Sequence, residues 1–488
     1  MTSENTAAPS RPHPPRNGFD SFFKITERGS SVATEIRGGL ATFFAMSYIV
    51  VLNPLVLGMI ADANGSELGL ARVAAATALI SGVMTILMGV IANHPFAMSA
   101  GLGINAFLAA TISTTPDLTW ENLMGLVVWA GVIMFLLVLT GFRTAVFNAV
   151  PPSLKTAIVV GIGLFISLIG FVNAGFIRRM PDSAGTTVPV SFGVNGDLIG
   201  LPILVFVIGL FVTIALMIRN VRGAILIGVV ISTIISIILE AILPSGSSTD
   251  KPTGWSLVAP QIPDQWLGLP DLSLIGNVNL FGAFQTLGGM AATLMVFAIL
   301  LSVFFDAMGT SVGLATEAHN IDENGKIPGI NRVLAVDAVG SIAGGAGSAS
   351  SSQIFVESAT GIGEGARTGF SVVITGVMFL LAMFVSPLVN IVPFEAVAPA
   401  LVVVGFLMVR QAVHVQWDDW GLGIPAFLTI AMMPFTYSIA DGIGAGFVSY
   451  TFIRIVQGRA KEVHPLMYLV SVAFVLYFGM GVIQGWTS

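Results

Sequence analysis

The side chains in this sequence best placed to do chemistry are carboxylates set among apolar residues. Glu357 lies in Ser348–Gly369, SASSSQIFVESATGIGEGARTG, which has four Ser in its first five residues, a Gln and a Gly-rich second half. Asp306 lies in LLSVFFDAMGTSVGLA, with Thr310 four residues on and so on the same helix face. Gly309 and Gly313 sit beside that face and let another backbone approach. A charge at the centre of a bilayer costs about 2.5–3.5 kcal/mol on insertion scales, so such a residue needs a partner, a cavity or a proton, and marks a functional site by default. Burial favours the protonated form of a carboxylate, which suits proton uptake. The plainer alternative for both residues is a structural hydrogen bond to a neighbouring helix. Asn105, in GLGINAF, is a third polar element that either meets a ligand or bonds a neighbouring helix. Asp441, Glu395 and Asp337 lie near predicted span ends or a charged loop and read as structural. Glu364 and Arg367 are spaced to pair on a helix end.

The elements that carry these residues follow from composition. Of 488 residues, 55% are hydrophobic and 9% charged, where a soluble domain has about 25% charged. Mean hydropathy is +0.90. This is a polytopic membrane protein, and the lipid bilayer is its first partner. Its 55 glycines suit close helix packing and broken helices. There is no cysteine, and the five histidines never fall at i, i+4, so neither a thiolate site nor an HExxH zinc site is available. No cofactor is expected. No basic stripe points to nucleic acid. The N-terminal MTSENTAAPSRPHPPRNG reads as a disordered polar tail, not a signal peptide.

After a short interfacial piece (19–37), hydropathy places spans near 38–60, 72–92, 99–114, 121–141, 154–174, 201–218, 222–243, 291–314, 329–346, 350–365, 366–389, 395–411, 421–436, 438–457 and 464–485. The third and tenth are short, Gly-rich and open on small or polar residues. If the first fourteen divide into two sevens, each odd segment is the third of its half. Interrupted segments in corresponding positions point to a transporter site between inverted repeats. Arg11, Arg16, Lys24, Arg28, Arg37, Arg143, Lys155, Arg219, Arg222, Lys326, Arg332, Arg454, Arg459 and Lys461 fall on one side if the N-terminus is cytoplasmic; Arg178 and Arg179 oppose, with Asp182 near. The final segment either spans or lies in the interface. The loop 244–278 reads as solvated and links the halves.

Several stretches together resemble the nucleobase–ascorbate transporter superfamily, and within it the AzgA-like purine permeases. TEIRGGLATFFAMSYIVVLNP is similar to the family's first span, FFDAMGTSVGLA to its eighth, FVESATGIGEGARTG to its tenth and IPAFLTIAMMPFTYSIADGIGAGF to its C-terminal signature. The resemblance implies an all-α membrane fold of about fourteen segments as two inverted repeats of seven, with short antiparallel strands in segments 3 and 10. It implies a core domain (38–141 and 282–389) and a gate domain (142–243 and 390–488), an outer linker at 244–281 and a tail before 38. It implies a cell-membrane protein, with the N-terminus cytoplasmic, that imports purine bases with protons, and it suggests a homodimer. On the matching positions, Asp306 and Glu357 become the substrate and proton-coupling carboxylates, and Phe355 and Val356 the strand residues beside the ligand. Ser351, Ser352, Gln353, Asn105, Ser99, Ala100, Gly101 and Thr310 complete the expected site. Two departures stand out. Ser99-Ala100-Gly101 lacks the proline usual there, and Ser352-Gln353 replaces the usual Val-Thr. The second bears on which base is taken.

A purine presents donors and acceptors on its edges, which carboxylates, strand amides and hydroxyls can satisfy, and a flat face on which Phe355 can pack. The rivals are a carrier of the same fold for xanthine or uracil, a uniporter, and an anion transporter, against which two acidic residues argue. An intramembrane enzyme is disfavoured, because no HExxH, GxGD or catalytic Cys is present.

Overall fold

The computed structural model describes residues 18–141, 149–179, 190–194, 196–221, 223–248, 251, 253–256, 259–260, 266–320, 327–385, 391–437 and 439–487, and for some helical positions, Asp306 among them, the backbone alone. The tail before Gly18, and Arg143, Asp182, Arg222 and Lys326 of the charge pattern, lie outside the described residues.

Among the described residues seven helices are long and apolar enough to cross a membrane: Val32–Leu57, Leu70–Ala92, Trp120–Leu139, Pro152–Asn173, Leu201–Ile218, Ala224–Ile242 and Phe394–His414. Shorter apolar helices include Leu102–Thr114 and Trp420–Thr436. The first begins ahead of the apolar run because the Ser31 side chain caps it by accepting the Thr34 N–H. It is jointed: Val32–Met46 gives way to Ile49–Leu57 at Ser47-Tyr48. Thr119, Thr368 and Asp419 cap helices Trp120–Leu139, Gly369–Ala382 and Trp420–Thr436 in the same way.

Two expected segments are broken. Strand β1 (Met98–Ala100) leads into helix Leu102–Thr114, and strand β2 (Ser352–Ile354) leads into the single turn-and-a-half Ser358–Gly363. The strands pair antiparallel, Met98 opposite Ile354, Ser99 opposite Gln353 and Ala100 opposite Ser352. Gly101 N–H donates to Ser351 O and Phe355 N–H to Ala97 O, extending the ladder at both ends. A two-stranded ribbon leaves its outer backbone groups unpaired, which is costly away from water. Here hydroxyls take three of them on the Ala97–Met98 side. Thr85 Oγ1 accepts Met98 N–H and donates to Met98 O, both at 2.9 Å, and Ser358 Oγ accepts Ala97 N–H at 3.0 Å.

Helix Ile330–Ala346 runs close behind the ribbon. It can do so because Gly340 and Gly344 lack side chains: a Cβ on either would strike the backbone of Ser350–Ser352. Gly82 faces Gly376, Gly89 faces Gly369 and Gly38 faces Gly361 in equally close backbone approaches. Helix Phe394–Val409 packs on Pro152–Asn173 and Leu201–Ile218, while Gly369–Ala382 packs on Leu70–Leu87 and Val32–Met46. The last helix, Pro465–Thr487, runs antiparallel along Ile439–Val456: Thr451 and Ser471 share a hydrogen bond of 2.7 Å, and the rings of Phe447 and Phe474 lie 6.2 Å apart.

One expectation for the outer loop is corrected. Read as solvated throughout, it instead buries Trp255 completely, and the indole N–H donates to Glu240 Oε2 at 2.6 Å. Glu395 Oε1 accepts the next N–H, that of Ser256, at 2.8 Å. Trp255, with the Glu240 and Glu395 carboxylates, ties this part of the loop to the helix ends.

Candidate functional site

The two broken segments deliver their strand ends to one cavity of about 620 Å³. On one wall stand Gly101, Leu102 and Gly103, then Ile354 to Glu357 with Ala359 and Thr360, and Thr310. The facing wall is apolar, with Val159, Ile162 and Ile166 from helix Pro152–Asn173 and Val404, Leu407 and Met408 from helix Phe394–Val409. At the mouth, Asn220, Glu317, Arg410 and Gln411 are exposed.

Glu357 is the N-cap position of helix Ser358–Gly363. Its Oε1 accepts a 2.6 Å hydrogen bond from the hydroxyl of Tyr48, at the joint of the first span. Phe355 is nearly buried and Val356 exposed, and both line the cavity. Thus five of the expected site residues, Glu357, Phe355, Val356, Thr310 and Gly101, come together. The other strand residues do not reach the lining. Ser99, Ala100, Ser351, Ser352 and Gln353 are buried within and behind the ribbon, where Ser99 Oγ shares a 2.6 Å bond with Ser81 Oγ and Ser351 Oγ donates to Ser341 Oγ at 2.8 Å. Gln353 folds over the start of helix Leu102–Thr114, so that a Cβ on Gly101 would strike its Oε1. Asn105, one turn further on, is fully buried, and neither of its amide atoms has a hydrogen-bond partner among the described residues. The Asp306 side chain lies outside the described ones; its backbone sits one turn before Thr310.

Of the carboxylates read as structural, Glu395 holds the outer loop as described, and Asp337 is fully buried in helix Ile330–Ala346. Glu364 pairs with Arg37, Nε to Oε2 at 3.2 Å. The Arg367 guanidinium donates to the carbonyls of Ile362 and Ala366, closing the C-terminal end of the short helix that Glu357 begins.

Three contributors were missed from sequence. Tyr48 was one. Glu35, in the first turn of the first span, was another. The third was the hydroxyl stripe Thr77, Ser81 and Thr85 on helix Leu70–Leu87, where Thr77 takes the Asn53 amide at 2.7 Å. That stripe had a readable signal, since its members recur at i, i+4 and i+8 and share one face.

A bundle of membrane-length helices that encloses a carboxylate-bearing cavity, with two broken segments at its wall, is a multi-pass membrane transporter. The chain belongs to the nucleobase–ascorbate transporter family, whose model, described as "Permease family", matches residues 33–445. It is 37% identical over 462 residues to the guanine/hypoxanthine permease PbuG of Bacillus subtilis, covering 94% of this chain and 99% of that one. To the adenine permease AdeQ of Escherichia coli it is 37% identical over 457 residues, 93% and 95% of the two chains. To the nucleobase transporter PlAzg2 of Paenibacillus larvae it is 32% identical over 419 residues, 85% and 76% of the two chains. Family and relatives are permeases, so the protein is a transporter and not an enzyme. In fold it is similar to the transmembrane domain of the cyanobacterial bicarbonate transporter BicA, with a TM-score of 0.57 at 13% identity over 85% of this chain and 97% of that one. It is also similar to the murine anion transporter Slc26a9 in its inward-facing state, with a TM-score of 0.59 at 13% identity over 87% and 69% of the two chains.

Proposed function

We propose that this protein carries purine nucleobases (adenine, guanine or hypoxanthine) into the cell across the cell membrane, in symport with protons, by alternating access. One observation carries the reading: Glu357, a carboxylate held at the ribbon's end, lines the cavity of a chain 37% identical to a guanine/hypoxanthine permease and to an adenine permease. A base leaving water must recover its hydrogen bonds, and Glu357 is an acceptor for a ring N–H or an exocyclic amine. Phe355 lies against the face of the base, and Gly101 with Val356 brings backbone close to its edge. Ser99, Ala100, Ser351, Ser352, Gln353 and Asn105 shape the ribbon and the first turn from behind. Asp306, the other carboxylate of the site, carries the proton.

In this reading the chain is two inverted sets of seven segments with the N-terminus cytoplasmic. Spans 1–4 and 8–11 form a core that holds the base, and spans 5–7 and 12–14 form the apolar gate against which the core moves. The apolar facing wall supports this division, because it lets two surfaces slide without breaking hydrogen bonds.

The test is uptake of labelled adenine, guanine, hypoxanthine, xanthine and uracil, with and without a protonophore. Concentrative uptake of a purine that the protonophore abolishes is expected. Preference for uracil would overturn the substrate, and accumulation indifferent to the pH gradient would overturn the coupling.

A further inference from the structure

We infer that Tyr48 is a positioning residue for Glu357: it fixes one carboxylate oxygen so that the other is presented to the base. The inference rests on the reading of Glu357 as the base contact. Tyr48 is fully buried, and its hydroxyl donates to Glu357 Oε1 at 2.6 Å across 309 positions of sequence. That is the short range of a hydroxyl bonded to a carboxylate, the stronger class of hydrogen bond.

The support under Tyr48 is hydrogen-bonded to its neighbours. It sits where Val32–Met46 ends and Ile49–Leu57 begins. One turn on, the Asn53 amide donates to Thr77 Oγ1 at 2.7 Å and to Ala349 O at 3.2 Å, just before strand Ser352–Ile354. The joint is therefore tied to the same segment that carries Glu357. A glutamate at a cavity edge has three torsions to order, and an unanchored one must lose that freedom on binding. With Oε1 held by the phenol, the carboxylate is ordered before the base arrives. Precise supporting contacts of this kind are what keep a binding group in its productive geometry.

The experiment measures uptake kinetics of the preferred labelled purine in vesicles containing the full chain, for Tyr48→Phe, Glu357→Gln and the double variant. Tyr48→Phe removes one oxygen and keeps the ring in place. We expect its KM to rise about tenfold, the weight of one hydrogen bond to a charged group, with Vmax within about twofold. In the Glu357→Gln background the same substitution should change binding by less than about twofold, because the two act as one unit. Wild-type KM in Tyr48→Phe, with binding lost in Glu357→Gln, would overturn the positioning role and leave Glu357 in the site. Independent, multiplicative effects would place Tyr48's action elsewhere. Wild-type binding in Glu357→Gln would overturn both readings. If Tyr48→Phe failed to fold, Glu357→Asp tests the geometry that the bond sets, by withdrawing the carboxylate one methylene from both Tyr48 and the base. Its affinity should fall comparably, and wild-type affinity there would overturn the proposal.

Discussion

Glu35 Oε1 accepts the backbone N–H of Arg367 at 2.8 Å, joining the first turn of the first span to a segment 332 positions away. Its other oxygen accepts the N–H and hydroxyl of Thr368 at 3.3 and 2.9 Å and the N–H of Ser371 at 3.3 Å. One fully buried carboxylate thus caps helix Gly369–Ala382 from outside. A helix N-terminus presents orphan N–H groups and a partial positive charge, so an acidic cap is well matched to it. Arg28 and Asn320 donate to the Arg367 carbonyl at 3.0 and 3.1 Å, completing a polar knot at this end of the bundle.

Glu35→Ala leaves four donors without their acceptor in a buried place. It should lower stability by about 2–3 kcal/mol, read as a drop in the thermal midpoint of the detergent-purified protein. Glu35→Gln keeps one carbonyl oxygen and should lose less. Equal midpoints for Glu35→Ala and wild type would show that the cap contributes nothing.

His94 predicts an acid limit to stability. It is fully buried between the second and third spans, stacked on Phe96 at 4.9 Å between ring centroids, with Nε2 donating to Pro328 O at 2.8 Å. Burial pushes its pKa down to about 4; the Pro328 carbonyl opposes this and the Arg28 charge adds to it. The folded value lies below the unfolded one, so the unfolded chain binds the proton first as pH falls. The stabilisation is complete above pH about 6.5 and is lost as pH drops toward 4, amounting to about 3 kcal/mol. The wild-type thermal midpoint should fall more steeply between pH 7.5 and 5 than that of His94→Gln, which keeps a donor for Pro328. Parallel curves would rule His94 out as the cause.

What hydropathy could locate, it located closely. The expected span 201–218 coincides with helix Leu201–Ile218, because Gly200 and Arg219 end the apolar run on either side. The broken third and tenth segments were legible because Ser, Gln and Gly interrupt an otherwise apolar pattern. Tyr48 and Glu35 were not. Their partners lie more than 300 positions away, and no periodicity within a window links such residues. Gln353 stands out in the sequence, but its direction depends on ribbon register. Pairing opposite Ser99 turns it over Gly101 rather than into the cavity.

That contact makes Gly101 and Gln353 interdependent. A Cβ at Gly101 collides with Gln353 Oε1, so Gly101→Ala alone should weaken base binding several-fold by displacing the strand end. Gln353→Thr shortens the side chain and should restore much of the loss in the double variant. Ser352→Val with Gln353→Thr should also shift the ranking among adenine, guanine and hypoxanthine, since Gly101 and Phe355 on either side of this contact line the cavity. A competition panel against one labelled purine reads both effects. An unchanged ranking and no rescue would confine the pair to packing.

Glu357 and Asp306 should do different work. Glu357 lines the cavity at the end of the ribbon, with one oxygen already engaged by Tyr48, so its loss removes a ligand contact. Asp306 stands in the long helix Gly289–Glu317, one turn before Thr310, which also lines the cavity. A carboxylate inside a membrane helix is costly to keep charged, which suits a group that takes up and releases a proton during the cycle. Glu357→Gln should therefore weaken equilibrium binding by about 2 kcal/mol or more, as expected when one partner of a desolvated charged hydrogen bond is removed. Asp306→Asn should still bind the base measurably, but equilibrate it across the vesicle membrane rather than accumulate it. The measurement is paired: binding in detergent and uptake under an imposed pH gradient, for both variants. pH-driven accumulation by Asp306→Asn would remove it as the proton carrier, and full binding by Glu357→Gln would remove that residue from the base. The reverse pattern would exchange their roles.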